Sequence, residues 1–212
     1  MSNSATTRPW PKYIMVFFAL SISAYALAYF FVDRMAVLQT KPEALFNNYL
    51  WRTAFFTHVG FGAVALTTGS VQFFPRWRNR NLQRHRFLGK IYLISVLLAG
   101  VAALIAAQNA TGDWITKLGF ACLAVLWLFS GAVAYRHIRA GRVEQHERWM
   151  VINYALTFAA VTLRLWMPVL IGGFGLPFED AYRIVAWLCW VPNLMVVVSR
   201  QSLVASDWPF FL

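Results

Sequence analysis

Acidic side chains are scarce in this 212-residue chain, which has 8 Asp and Glu against 19 Lys and Arg. Charged residues of both signs make up only 13%, about half the share of a soluble globular domain. That scarcity, with 59% apolar residues and a mean hydropathy of +0.54, excludes a soluble globule and a disordered chain. Catalytic signatures are missing too. There is no glycine-rich phosphate loop, no His-Glu-x-x-His, no Cys-x-x-Cys-His, and no Ser or Cys nucleophile with an evident base, so no enzymatic reaction is assigned. The two cysteines, Cys122 and Cys189, both fall inside apolar runs and read as small packing residues rather than a disulfide.

What is abundant is apolar and aromatic, including ten Trp and eighteen Phe. A hydrocarbon core about 30 Å thick needs about 20 apolar helical residues, and six stretches match: about 13–32, 53–74, 87–107, 118–135, 150–171 and 181–199. The reading is an all-α, polytopic membrane protein, a six-helix bundle forming a single integral membrane domain over residues 1–212. Tyr13 onward also resembles a secretory signal, with Ala26-Leu27-Ala28 as the cleavage site, but the run continues to a full membrane width, which favours a retained helix. The last stretch contains Pro192, tolerated only where neighbours satisfy the freed carbonyl.

Basic residues segregate by loop. Thirteen lie on one side (Arg8, Lys12, Arg76, Arg78, Arg80, Arg84, Arg86, Lys90, Arg136, Arg139, Arg142, Arg148 and Arg200) and five on the other (Arg34, Lys41, Arg52, Lys117 and Arg183). The excess places both termini in the cytoplasm. It also explains the net charge of +11 by topology and anionic lipid headgroups, without a nucleic-acid partner.

Ionisable groups inside a bilayer are costly, which singles out His58, His85, His137, His146 and Arg164. His58, Gly62, Ala65, Gly69 and Gln72 share one face of the second span. A strip of small residues there is either a helix-packing groove or a flat surface for a planar ring. In the fifth span His146, Trp149, Asn153, Thr157, Ala160 and Arg164 form one stripe. Arg164 lies five turns, about 27 Å, from His146 and level with His58. It therefore either shares a site with His58 or snorkels to the headgroups. At the cytoplasmic edge, Arg84-His85-Arg86 and His146-Glu147-Arg148 each begin a returning helix. His85 and His146 could ligate one iron from facing helices, with Arg86 and Arg148 (and Arg84) available to haem propionates. His137 is a third candidate, for which simple solvation at the membrane edge is the plainer reading. Asp33, Glu179 and Asp180 sit at outer ends and no carboxylate lies near a midplane, which counts against a proton-coupled carboxylate relay.

Several of these segments together carry a resemblance: His58-Val59-Gly60 through Gln72-Phe73, His85 through Tyr92, His146 through Met150, and Ala160 through Arg164. Over about Ala54 to Asn193 the chain resembles the bacterial membrane-protein family called domain of unknown function 2306. That resemblance implies about six spans in the bacterial plasma (inner) membrane and no established activity. The histidine-bearing bundle is also distantly similar to diheme b-type cytochromes, though no second histidine of the outer half pairs with His58.

The expectation is a membrane redox protein that binds haem b and exchanges electrons with quinone or a membrane partner. Its iron ligands would be His85 and His146, with His58 a further candidate. His58 with Arg164 would form an outer site for a quinone, a propionate or a singly ligated haem, and Gln72, on the same helix face as His58, is a further cofactor-binding candidate. Two alternatives stand beside it: a small-molecule transporter or permease whose polar stripe on the fifth span lines a path, and an accessory structural subunit of a larger membrane complex or oligomer.

Overall fold

The computed structural model describes residues 10–32, 35–74 and 80–206. Arg8, Asp33, Arg34, Arg76 and Arg78, to which the sequence reading gave sides of the membrane, lie outside the described residues.

The described residues are helical throughout their regular structure, and six helical segments are long and apolar enough to cross a bilayer: Trp10–Phe30, Tyr49–Val71, Leu82–Ala107, Trp114–Arg139, Val143–Gly173 and Phe178–Gln201. Each begins upstream of the apolar run that announced it. In the second, third and fourth the reason is capping: Asn48, Asn81 and Asp113 each accept a hydrogen bond from the backbone N–H three residues on, at Trp51, Arg84 and Thr116. A polar first turn can thus be helical without entering hydrocarbon.

The second and third spans make the most extensive pairing, followed by the fourth with the fifth and the third with the fourth. The first span lies on the second, where the Ser23 hydroxyl donates to the Ala63 carbonyl at 3.2 Å and receives a hydrogen bond from Thr67 at 3.0 Å. Small residues set the closest approach between spans. A Cβ on Gly69 would stand 2.6 Å from the Tyr154 ring and 2.7 Å from that of Tyr92, so this position admits only glycine without displacing an aromatic ring.

The last two spans are interrupted. In the fifth, one helix ends at Thr157 and the next begins at Ala159, and a π-turn over Val169–Gly173 follows Pro168. In the sixth, the helix breaks between Leu188 and Val191, just ahead of Pro192. The Cys189 carbonyl accepts from the Thr162 hydroxyl of the fifth span at 2.5 Å and from the Asn193 amide at 3.0 Å. Both cysteines are free thiols, Cys189 buried and Cys122 partly so.

Candidate functional site

The stripe on the fifth span divides into two parts with different partners. Its middle is spent on other helices. The Tyr92 hydroxyl of the third span donates to Asn153 Oδ1 at 2.6 Å and lies 2.8 Å from Thr157 Oγ1. Trp127 of the fourth span donates its Nε1–H to the same Thr157 oxygen at 2.8 Å. The Asn153 amide in turn donates to the Trp127 carbonyl at 2.7 Å and to Ser130 Oγ at 2.8 Å. Asn153 is 0% exposed, and both polar atoms of its side chain are partnered. A buried amide with every group partnered fixes the register of three helices and offers nothing to a solute.

Above this network, at the end of the bundle away from the arginine-rich loops, lies a chamber of about 620 Å³. Such a volume falls within the roughly 300–1,000 Å³ of small-molecule and cofactor sites. Trp127 and Thr157 form part of its lining, so the polar network is also its floor. His58 and Arg164 both line it, as the equal levels of the two residues on their helices suggested.

The His58 ring has a defined orientation. Its Nδ1 lies 3.1 Å from the Ala99 carbonyl of the third span, and because a carbonyl only accepts, Nδ1 carries the proton. The Nε2 lone pair is left over, and Trp127 packs edge-on to the imidazole with ring centroids 6.5 Å apart. Arg164 donates to the carbonyl of Ala160 in its own helix at 2.8 Å and lays its guanidinium over the Tyr25 ring, 5.4 Å from the centroid. Among the described residues no carboxylate pairs with it, and none lines the chamber. Tyr25, Tyr29 and Tyr182 are the neighbouring polar groups.

The face His58–Gly62–Ala65–Gly69–Gln72 divides in the same way. Gly62 lines the chamber, and a Cβ placed on it would meet nothing within 4 Å, whereas Gly69 is packed against aromatic rings. Gln72 is not part of the lining. Its amide reaches back to the Thr68 carbonyl at 3.4 Å, and its Oε1 lies against Gly89 at the arginine-rich end.

At that end the His146 Nδ1 donates to the Ala134 carbonyl at 2.9 Å, so His146 holds the same tautomer as His58 with Nε2 available. His85 lies partly buried at the start of the third span. Arg86 is exposed, and Arg148 forms an ion pair with Glu144 at 2.8 Å. His137 has a buried Nδ1 with no hydrogen-bond partner among the described residues. No cluster of three or more His, Cys, Asp or Glu residues suited to a metal occurs among them. Any iron would therefore rest on one or two imidazoles.

Two chamber residues escaped sequence reasoning. Lys41 read as an ordinary loop charge and Trp51 as one aromatic among many, yet both are buried in its wall. Nothing in their spacing signals this.

Neither a curated protein nor a solved structure matches the chain. A family model described as "Predicted membrane protein" matches residues 55–198, a segment that contains His58, His85, His146, Arg164 and the whole polar network. The chain belongs to the DUF2306 family of predicted membrane proteins.

Proposed function

We propose that this chain is a redox protein of the bacterial inner membrane, with both termini cytoplasmic, that holds a b-type haem and exchanges electrons with quinone or a membrane partner. One observation carries the reading. His58, with Nδ1 spent on a backbone carbonyl and Nε2 left for a metal, shares a chamber of cofactor size with an arginine that has no carboxylate partner among the described residues. Haem-ligating imidazoles commonly donate their other ring N–H to a carbonyl, which fixes the ring and raises its basicity. An unpaired guanidinium matches a propionate in charge and shape. A bound haem would supply one-electron chemistry.

The chain's own residues do the rest. Ala99 orients His58, Trp127 packs perpendicular to the imidazole, and the Asn153–Thr157 network closes the floor of the chamber toward the arginine-rich end. His146, in the same tautomer, and His85 are the ligands proposed for iron at the cytoplasmic edge, with Arg86 and Arg148 beside them. The alternative of a permease path along the fifth span draws less support, because Asn153 and Thr157, which would line it, are committed to interhelical hydrogen bonds.

The test is an absorption spectrum of protein purified after expression with ample haem. A Soret band is expected, lost or shifted in His58→Ala for the chamber and in His85→Ala or His146→Ala for the cytoplasmic edge, and unchanged in His137→Ala. Purified wild-type protein without haem overturns the reading.

A further inference from the structure

The rim of the chamber carries a second feature that the iron reading leaves unused. Lys41 sits in the connection between the first two spans, where Ala36–Thr40 forms a short 3₁₀ helix and Glu43–Phe46 a single α-turn. It lines the chamber and is 8% exposed. Its ammonium donates to the Asn109 carbonyl and to Thr111 Oγ1, both in the connection between the third and fourth spans. An ammonium has three donors, so one is left over. No carboxylate approaches it among the described residues; the charge it feels is that of Lys117, of its own sign. Burial and Lys117 push the amine down to about 8.

Beneath it lies Trp51, 3% exposed, with its ring centroid 5.8 Å from Lys41 Nζ. The Trp51 Nε1–H is buried and has no acceptor among the described residues. A buried indole N–H usually finds a partner, and leaving one unmade costs about 1–3 kcal/mol. Two unused donors and one positive charge without a carboxylate partner among the described residues thus stand together in the wall of a chamber that holds two further basic groups, His58 and Arg164, and, among the described residues, no acid.

We propose that Lys41 and Trp51 form a carboxylate site at the rim of the chamber, which holds the acidic group of an amphiphile whose apolar body lies inside. The inference rests on the chamber of the preceding section but not on its iron. It concerns residues upstream of the segment that the family model matches. Two sources could supply such a carboxylate: a haem propionate, or a long-chain fatty acid taken from the surrounding leaflet. In both cases the rim selects for the acid over its neutral counterpart, because an ester or alcohol oxygen can accept from the open donors but only an anion also neutralises the Lys41 charge.

The experiment measures binding of four probes to the purified full-length protein in detergent: haemin and its dimethyl ester, oleate and oleyl alcohol. Wild type should bind at least one acid about tenfold more tightly than its neutral counterpart, the worth of one charge-assisted hydrogen bond. Lys41→Met should erase that discrimination while leaving the neutral probe within about twofold, and Trp51→Phe should reduce it in part. Lys41→Arg, which keeps the charge, should restore most of it and serves if Lys41→Met does not fold. Discrimination for haemin alone names the propionate as the source, and for oleate alone the fatty acid. Oleate discrimination without any Soret band leaves the rim standing while the haem reading falls. Equal binding of acid and neutral forms by wild type, or an equal loss of both in Lys41→Met, overturns the rim site.

Discussion

The middle of the bundle and the chamber above it are built from the same kinds of residue and differ in how their polar groups are used. At Asn153 and Thr157 the side chains meet Tyr92, Trp127 and Ser130 of two other spans, with the Thr157 hydroxyl also donating to the Asn153 carbonyl of its own helix, and the result is a fastening. A few turns away, Arg164, Lys41 and the Trp51 indole keep charge or donors that no described group takes up. Hydrocarbon offers no hydrogen bonds, so a polar group in a membrane bundle either meets protein or is held for something else. The contrast shows which polar residues here are scaffold and which are candidates for chemistry, a distinction that polarity alone does not make.

The sharpest way to break the comparison uses the two glycines of one helix face. Gly69→Leu should prevent accumulation of folded protein, because its side chain would have to displace Tyr92 and Tyr154. Gly62→Leu should fold normally, since its Cβ meets nothing within 4 Å, but should fill the chamber and empty it of ligand. Size-exclusion profiles with haem or probe content check both, and matching behaviour of the two variants would remove the distinction.

Next in size, Asn153→Ala should cost about 1–3 kcal/mol, seen as a lowered Tm, because Tyr92 and Ser130 lose a buried partner. Arg164→Ala should leave Tm unchanged or raise it, since it removes a charge that has no counter-ion among the described residues, while binding is lost.

A finer probe is Arg164→Lys. It should insert and fold yet bind haem or acid probes about tenfold more weakly, because an ammonium lacks the planar fork. Its effect and that of His58→Ala should be less than additive if one ligand touches both, and a titration of the single and double variants decides that.

The last effect is on pH. The Lys41 amine falls from 10.5 in the open chain to about 8 in the fold, so between those values the unfolded chain holds more protons. Stability of the ligand-free protein should therefore rise from about pH 8 to 10.5 and then level off. Comparing Tm against pH for wild type and Lys41→Met isolates this contribution, and a bound acid should flatten it by raising the amine's pKa.

The spans were readable because hydropathy over twenty residues overwhelms every local preference, and Asn48, Asn81 and Asp113 in front of them explain where the helices begin. His58 and Arg164, which counting turns puts at one level, both line the chamber. Lateral neighbours were not readable. Periodicity places Gly62, Gly69 and Gln72 on one face but says nothing of what that face meets along its length, and it meets open space, aromatic rings and Gly89 in turn. Lys41 could not be found at all, since its burial depends on Asn109 and Thr111, some seventy residues away in sequence.

The Cys189 carbonyl, released where the sixth span breaks, bears on how the chain enters the bilayer during synthesis. One of its acceptor sites is filled by Thr162, which belongs to the span made just before it. A sixth helix delivered into lipid by itself would carry that bare oxygen with only Asn193 to cover it, so the translocation machinery meets a segment whose solvation is completed by its predecessor. The final hairpin is accordingly coupled: the Cys189 carbonyl at the break in its second arm gains its second donor only once the first is alongside.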